Sequence, residues 1–376
     1  HDIMAERPAA EGESIVLTID VELQRAVERA LEGERGAAVM LDPRNGDVLA
    51  LASAPAFDPS IFTPSISAAD WNLLNTDAAR PLFNRAISGT YPPGSTFKPV
   101  VALASLENGR ATPATEYACP GYFKLGRATF KCWYRLGHGR VKMRKAVEQS
   151  CNSYFCQLGL AAGYETIYHM ADALGFGHET GIELPGESSG LLPNEAWKRR
   201  RGYGGWRAGD TCNISIGQGF LLATPLQMAM FMATVANGGY VYRPRMVLGR
   251  EREGDLVNNM NWSAETLRTV RGGMHDVVEA PTGTGRYAKV PGIEMAGKTG
   301  TAEYGPKREG KKHTWMTVFA PFDQPRYAVA MIVEDGLSGG RTVAPRIRQL
   351  MTRVLEIERE RAAQTRKGGP ALESRS

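Results

Sequence analysis

Tyr91-Pro92-Pro93-Gly94-Ser95-Thr96-Phe97-Lys98-Pro99 is the stretch on which the reading of this chain turns. Two prolines and a glycine make a rigid turn, and the apolar run Val100-Val101-Ala102-Leu103-Ala104 after it reads as a buried helix. Ser95 is therefore expected near the first turn of a helix, with Lys98 three residues on, on the same face. That sets a hydroxyl beside an amine, at a helix end whose free N–H groups favour developing negative charge. A serine served by a lysine base is a nucleophile that needs no histidine. Alone the spacing is weak evidence, because a capping serine ahead of a solvated lysine reads the same way.

On either side of that turn, strand signals gather at the two ends of the chain and helical signals between them. Residues 15–19 give a short strand signal, and Asp20 caps a helix expected to run to about Leu31. Residues 36–41 and 48–53 form a hairpin, apolar on nearly every position of both arms, which predicts a sheet covered on both faces. Residues 54–90 read as loops with short helices, and residues 95–235 as mainly helical with glycine-rich breaks, including a helix that starts at Pro225. The loop at 185–210 carries Trp197, Trp206, Tyr203 and several glycines, and a structureless segment of that length is usually functional. After Gly238 strands are expected again: residues 292–303, then a second apolar hairpin from 313–321 and 326–333, and a closing helix over 342–359. The expected fold is α/β (α+β), a central antiparallel sheet built from both chain ends and flanked by helices, with a mainly helical insertion. Its expected bounds are 14–359, with a polar tail at 1–13 and a charged, disordered tail at 360–376.

Composition sets limits on this reading. The chain has 376 residues, 43% hydrophobic and 23% charged, which is ordinary for a soluble globular protein. The net charge of +5 is mild and spread out; Arg199-Arg200-Arg201 and Lys311-Lys312 are the tight basic runs, and neither is interleaved with aromatics, so no nucleic-acid partner is expected. The uncharged run 220–242 contains Pro225, Gln227 and Asn237, which suits a buried helix better than a membrane span. The opening His1-Asp2-Ile3-Met4 has no signal-peptide pattern and resembles a cloning remnant, as in a piece excised from a longer protein.

Two more segments raise the weight on Ser95. In Gln149-Ser150-Cys151-Asn152-Ser153 a hydroxyl and a carboxamide flank one residue in a helical stretch, where they can pass a proton and hold a substrate amide. In Lys298-Thr299-Gly300-Thr301 a strand offers a cation, two hydroxyls for a carboxylate, and a glycine that admits a substrate backbone. Ser-x-x-Lys, Ser-x-Asn and Lys-Thr-Gly each occur once, in that order. Together they resemble the acyl-transfer set of penicillin-binding proteins and serine β-lactamases. The resemblance spans residues 15–358. Tyr91-Pro92-Pro93-Gly94-Ser95, Gly209-Asp210-Thr211, Ser215-Ile216-Gly217-Gln218-Gly219 and Ala223-Thr224-Pro225-Leu226-Gln227-Met228 are similar to class B penicillin-binding proteins. Glu187, Gly190-Leu191-Leu192-Pro193 and Trp197-Lys198 are most similar to the penicillin-binding protein 2 branch, the elongation transpeptidases.

The resemblance implies a peptidoglycan D,D-transpeptidase. Ser95 is acylated by a stem peptide ending in D-Ala-D-Ala, and the acyl group passes to a stem amine, the diaminopimelate side chain being the expected one. Lys98 would be the base, Ser150 the proton relay, and Asn152 would orient Lys98 and the substrate amide. Lys298 with Thr299, Gly300 and Thr301 would hold the terminal carboxylate, and the N–H groups of Ser95 and Thr301 would meet the oxyanion. β-Lactams would stop the cycle as acyl-enzymes. The resemblance also implies a periplasmic domain, anchored to the inner membrane by an N-terminal helix and joined to a pedestal domain outside this chain, with an elongation glycosyltransferase and a scaffold protein as partners. A serine β-lactamase, a penicilloyl sensor and a division-type class B transpeptidase share the motifs and stay open; a Glu-x-x-Leu-Asn segment for deacylating water is not found.

Five cysteines remain. Cys156 and Cys212 lie in apolar runs and read as core residues. Cys119, Cys132, His138 and Cys151 bracket the Ser150 motif, and three thiolates with an imidazole make a tetrahedral structural zinc set. Family members are similar in carrying ligand-type residues there, sometimes Asp for Cys. The competing reading is a Cys119–Cys132 disulfide. Catalysis itself is expected to need no cofactor.

Overall fold

The two apolar hairpins of the sequence are brought side by side in one sheet. The computed structural model describes residues 12–249, 256–305 and 309–367. Helix α1 (Val21–Ala30), capped by the Asp20 carboxylate, leads into β1 (Gly36–Leu41) and β2 (Val48–Ala54). Helix α2 (Ala68–Thr76) follows, then a 3-10 turn at Gly94–Phe97 that opens α3 (Lys98–Glu107). Strands β3 (Glu116–Cys119), β4 (Tyr122–Leu125), β5 (Ala128–Lys131) and β6 (Gly139–Lys142) make two small antiparallel pairs, β3 with β6 and β4 with β5. Six helices come next: α4 (Met143–Glu148), α5 (Asn152–Ala162), α6 (Tyr164–Ala173), α7 (Glu195–Arg200), α8 (Ala208–Ser215) and α9 (Pro225–Asn237). The chain closes with a β7 (Tyr240–Tyr242) and β8 (Leu256–Asn259) pair, α10 (Ala264–Glu279), β9 (Ala296–Glu303), β10 (Lys312–Ala320), β11 (Tyr327–Val333) and α11 (Ala344–Lys367).

The main sheet runs β2-β1-β11-β10-β9, antiparallel at every pairing. The first hairpin thus meets the last two strands through β1 and β11, both buried along their whole length. Helix α9 packs against β1, β10 and β11, while α1 packs on β2 and on α11. Helix α9 itself is buried from Pro225 to Ala236. Its start is fixed by a capping box in which the Thr224 hydroxyl accepts from Gln227 N–H and the Gln227 side chain accepts from Thr224 N–H, and its end by Gly238 at φ +92°. A run of rings, Phe97–Phe176 at 5.5 Å and Phe176–Phe231 at 6.0 Å, ties the 3-10 turn to α9.

Several expectations are corrected. Residues 15–19 form no strand; Leu17 makes one isolated bridge to Val247. Strand β2 is an edge and alternates buried with half-buried positions, so only the β1 arm is covered on both faces. The region 116–142 holds four short strands where helix was expected, and the 185–210 loop contains α7. Between Gly238 and the Lys298 strand lies the 16-residue α10, whose buried Val270, Met274, Val277 and Val278 have helical spacing hidden among polar residues. Helix α11 runs eight residues past the expected end, because Arg361 reaches back to Asp20 at 2.6 Å and Glu22 at 2.7 Å. The tail calls at 1–11 and 368–376 lie outside the described residues. No helix among the described residues is long and apolar enough to cross a membrane.

Phe231 is fully buried where α9 meets the ring run. Phe231→Ala should lower stability by about 3–5 kcal/mol in urea unfolding, the usual cost of emptying a fully buried aromatic site; a change below about 1 kcal/mol would contradict this packing.

Candidate active site

The turn that carries Ser95 is clamped from three sides. Tyr91 exchanges backbone hydrogen bonds with Ala223 at 3.0 and 2.9 Å, and Gly94 N–H donates to Gly217 carbonyl at 2.8 Å, which fixes the turn to the segment before α9. The Trp315 indole donates to Pro92 carbonyl at 3.1 Å from β10. Tyr91 hydroxyl donates to Glu334 at 2.9 Å, and Glu334 is held by Arg85 and Arg35 at 2.9 and 2.7 Å. Against β9 the fit depends on glycine. Gly94 adopts φ +56°, and a Cβ there would sit 3.0 Å from Thr301 carbonyl oxygen. A Cβ on Gly300 would meet Pro93 carbonyl oxygen at 2.8 Å. Gly300 therefore makes room for the nucleophile's own turn, a nearer reason for the glycine than the approach of a substrate.

Ser95 lies half-buried in this 3-10 turn, and Lys98, the first residue of α3, is fully buried. The Lys98 backbone N–H donates to the Ser95 carbonyl, but among the described residues the Ser95 hydroxyl and the Lys98 amine share no hydrogen bond. The Lys98 ammonium instead donates to Ser150 carbonyl at 2.7 Å, Ser150 Oγ at 3.1 Å and Asn152 Oδ1 at 2.6 Å. Ser150 can offer both oxygens to one amine because its backbone is left-handed, φ +53°, a strained conformation for serine. Asn152 opens α5 and donates its amide to Lys131 carbonyl at 3.0 Å, which leaves Oδ1 to face the lysine. Burial lowers the Lys98 pKa to about 8, with the nearby thiols opposing. About a tenth of the amines are then neutral at pH 7.

Lys298, Thr299, Gly300 and Thr301 lie together on β9, beside the nucleophile turn. Lys298 is fully buried without a carboxylate partner among the described residues and donates only to Thr299 carbonyl at 3.0 Å. Burial, and then the Lys98 charge, hold it well below the ordinary lysine value. A buried lysine without a carboxylate beside it gains a charge partner when an anion reaches it. The sequence offers no reason to single out Thr284, in the loop-like Pro281-Thr282-Gly283-Thr284-Gly285. Its hydroxyl accepts from Thr299 Oγ1 at 2.9 Å and donates to Glu148 carbonyl at 3.3 Å, so it sets the direction of the Thr299 hydroxyl. Buried Glu148 is in turn held by Lys145, Gln149 and Thr282. A hydrogen-bonded path thus joins the Ser150 and Lys298 segments.

The cysteine–histidine set converges behind this site. The ligand atoms of Cys119, Cys132, His138 and Cys151 all lie within 4.8 Å of one another. His138 Nδ1 is 3.5 Å from the sulfurs of both Cys119 and Cys132. Zinc–sulfur bonds of about 2.3 Å and zinc–nitrogen bonds of about 2.0–2.1 Å set tetrahedral donors about 3.5–3.8 Å apart, so these residues fit the ion. A hydrogen bond from the Cys151 thiol pulls Cys132 well down, and the same contact, with burial, pushes Cys151 up. Cys151 also caps α5, accepting from Tyr154 N–H at 3.4 Å. It therefore belongs both to the cluster and to the motif that holds Lys98. Cys156 and Cys212 are buried elsewhere, as expected for core residues.

A family model described as the penicillin binding protein transpeptidase domain matches residues 36–352. The peptidoglycan D,D-transpeptidase MrdA of Haemophilus influenzae is 37% identical over 368 residues, which cover 92% of this chain and 56% of that protein. The chain thus spans just over half the length of this relative. Pseudomonas aeruginosa PBP2, solved in complex with WCK 5153, superposes with a TM-score of 0.85 at 37% identity, over 91% of this chain and 75% of that one. Helicobacter pylori PBP2, solved with MreC, gives 0.84 at 33% identity, over 91% of this chain and 64% of that one.

A lysine serves as a base only as its neutral amine. Acylation of Ser95 by a penicillin should therefore rise about tenfold per pH unit below the Lys98 pKa of about 8 and level off above it. A flat stopped-flow profile between about pH 6 and 8 would remove Lys98 as the base.

Proposed function

The chain belongs to the penicillin-binding protein transpeptidase family, and on that premise we propose that it acts as a peptidoglycan D,D-transpeptidase of cell elongation through a Ser95 acyl-enzyme. The observation that carries this reading is the Lys98 amine: fully buried and hydrogen-bonded to Ser150 and Asn152. Neutral Lys98 takes the Ser95 proton as Oγ attacks the carbonyl of the penultimate D-Ala. The bond to the last D-Ala breaks, and its nitrogen leaves with a proton relayed by Ser150. A diaminopimelate amine on a neighbouring stem then attacks the ester, restoring Ser95. Lys298, Thr299 and Thr301 hold the donor's terminal carboxylate, with Thr284 orienting Thr299. The Ser95 and Thr301 N–H groups receive the oxyanion, a contribution of about 3–4 kcal/mol in comparable sites. A β-lactam follows the same first step and stays as the ester.

A zinc ion on Cys119, Cys132, His138 and Cys151 belongs to this reading as a structural brace. It would supply four fixed bonds between the β3–β6 region and the cap of α5, taking no part in acyl transfer. The full-length protein would sit on the periplasmic side of the inner membrane, with a glycosyltransferase and a scaffold protein of the elongation machinery as partners. The Helicobacter pylori PBP2 relative is solved with MreC, which supports the scaffold part.

Intact mass spectrometry with benzylpenicillin tests the acyl-enzyme. One adduct should form that persists for many minutes and is absent in Ser95→Ala; labelling that survives the substitution, or penicilloate released within seconds, would end the transpeptidase reading. For the metal, elemental analysis should give one zinc per chain, and stripping it with a chelator should lower the melting temperature by several degrees. Full thermal stability after zinc removal would overturn the brace.

A further inference from the structure

Charge in this chain is far less even than its total suggests. Residues 117–147 contain eight Lys or Arg and no Asp or Glu, so the rest of the chain is net negative. Three of the eight are paired: Arg140 with Glu116, Arg144 with Asp276 and Lys145 with Glu148. Lys124, Arg127, Lys131, Arg135 and Lys142 are exposed and have no ion pair among the described residues. The hairpin register concentrates them. Tyr122 opposes Lys131 and Lys124 opposes Thr129, so these four side chains share one face of the β4–β5 pair, and all four are exposed. The opposite face carries Phe123 and Phe130, half-buried, and the hairpin packs on α5. The outward face is therefore uncovered, basic and partly aromatic, with Lys124 Nζ 5.7 Å from the Tyr122 ring centroid.

This face is continuous with the catalytic cleft. Lys131 carbonyl accepts from the Asn152 amide at 3.0 Å, and Trp133, 55% exposed, donates its indole N–H to Gln149 carbonyl at 2.7 Å. Whatever covers the basic face also reaches the rim of the Ser150–Asn152 segment. The chemistry that fits is a polyanion with carbohydrate or other flat surfaces for the rings. Uncrosslinked peptidoglycan has that character, with several carboxylates on each stem and a sugar backbone.

Resting on the transpeptidase reading above, we propose that the outward face of β4–β5 with Tyr122, Lys124, Arg127, Lys131, Arg135 and Trp133 is a docking surface for a peptidoglycan strand, held through its stem carboxylates. It adds strand affinity outside the acylation site, so a small β-lactam does not use it. Because every contact is an exposed ion pair, each is weak and screened by salt, and the surface works by summation.

The test uses soluble uncrosslinked strands bearing pentapeptide stems and the triple variant Lys124→Gln/Arg127→Gln/Arg135→Gln, which leaves Lys131 in place. Affinity for strands should fall about tenfold, and its dependence on salt should flatten. Benzylpenicillin acylation of Ser95 should stay within about twofold, which also verifies the fold. Unchanged strand affinity would overturn the proposal. So would strand affinity that holds while binding to phosphatidylglycerol vesicles is lost, which would make this a lipid-facing patch. Failure of penicillin to label Ser95 in the parent protein would strike the transpeptidase reading and leave strand binding to be judged on its own.

Discussion

A single buried amine sets the terms for the rest of the structure. Lys98 is fully buried, and each of its three donors is matched by an oxygen from Ser150 or Asn152. Burial pushes such a group toward neutrality, while the nearby cysteine sulfurs favour its charged form; the balance falls near a pKa of 8, where it can still exchange a proton at physiological pH. Ser150 adopts a left-handed backbone to serve that amine, and Asn152 is oriented by Lys131 carbonyl. The Cys151 thiol, one residue from each, links the arrangement to the cysteine–histidine cluster.

The sheet makes this arrangement possible by distance. Strand β9 brings Lys298 and Thr301 against the Ser95 turn, and the contact is close enough that Gly94 and Gly300 have no room for a side chain. Trp315 and the Glu334–Arg85–Tyr91 group brace the far side of the turn, so the nucleophile is fixed by β10 and by the end of β11 as well as by its own helix. Two buried lysines then share one cleft. Among the described residues Lys298 meets no carboxylate there and donates only to the Thr299 carbonyl, which is what supports its proposed role toward a substrate's anionic end.

Local patterns were legible wherever the period of apolar residues was unbroken. Both hairpins, the Asp20 cap and the start of α9 at Pro225 agree with the structure. Helix α10 was hidden because its buried face alternates with Arg, Asp and Glu, and the short strands around the cysteines were hidden because four-residue pairings are too short for a periodic signal. The basic face was missed for a related reason. Its cations are spaced three or four apart, so no run of charge appears until β4 and β5 fold back on each other.

The sequence by itself determined the chemical groups: a serine, a lysine, a second serine with an asparagine, a lysine–threonine strand and a set of three cysteines with a histidine, each identifiable from residue type and order. Tertiary structure decided how they are coupled. It gave the Lys98 amine its hydrogen bonds to Ser150 and Asn152, packed Gly300 against the turn that carries Ser95, and brought in Thr284, Glu148 and the Lys131 carbonyl. Those roles depend on contacts between residues tens to hundreds of positions apart, and on burial that only the packed sheet and α9 create. Residue order along the chain carries neither quantity.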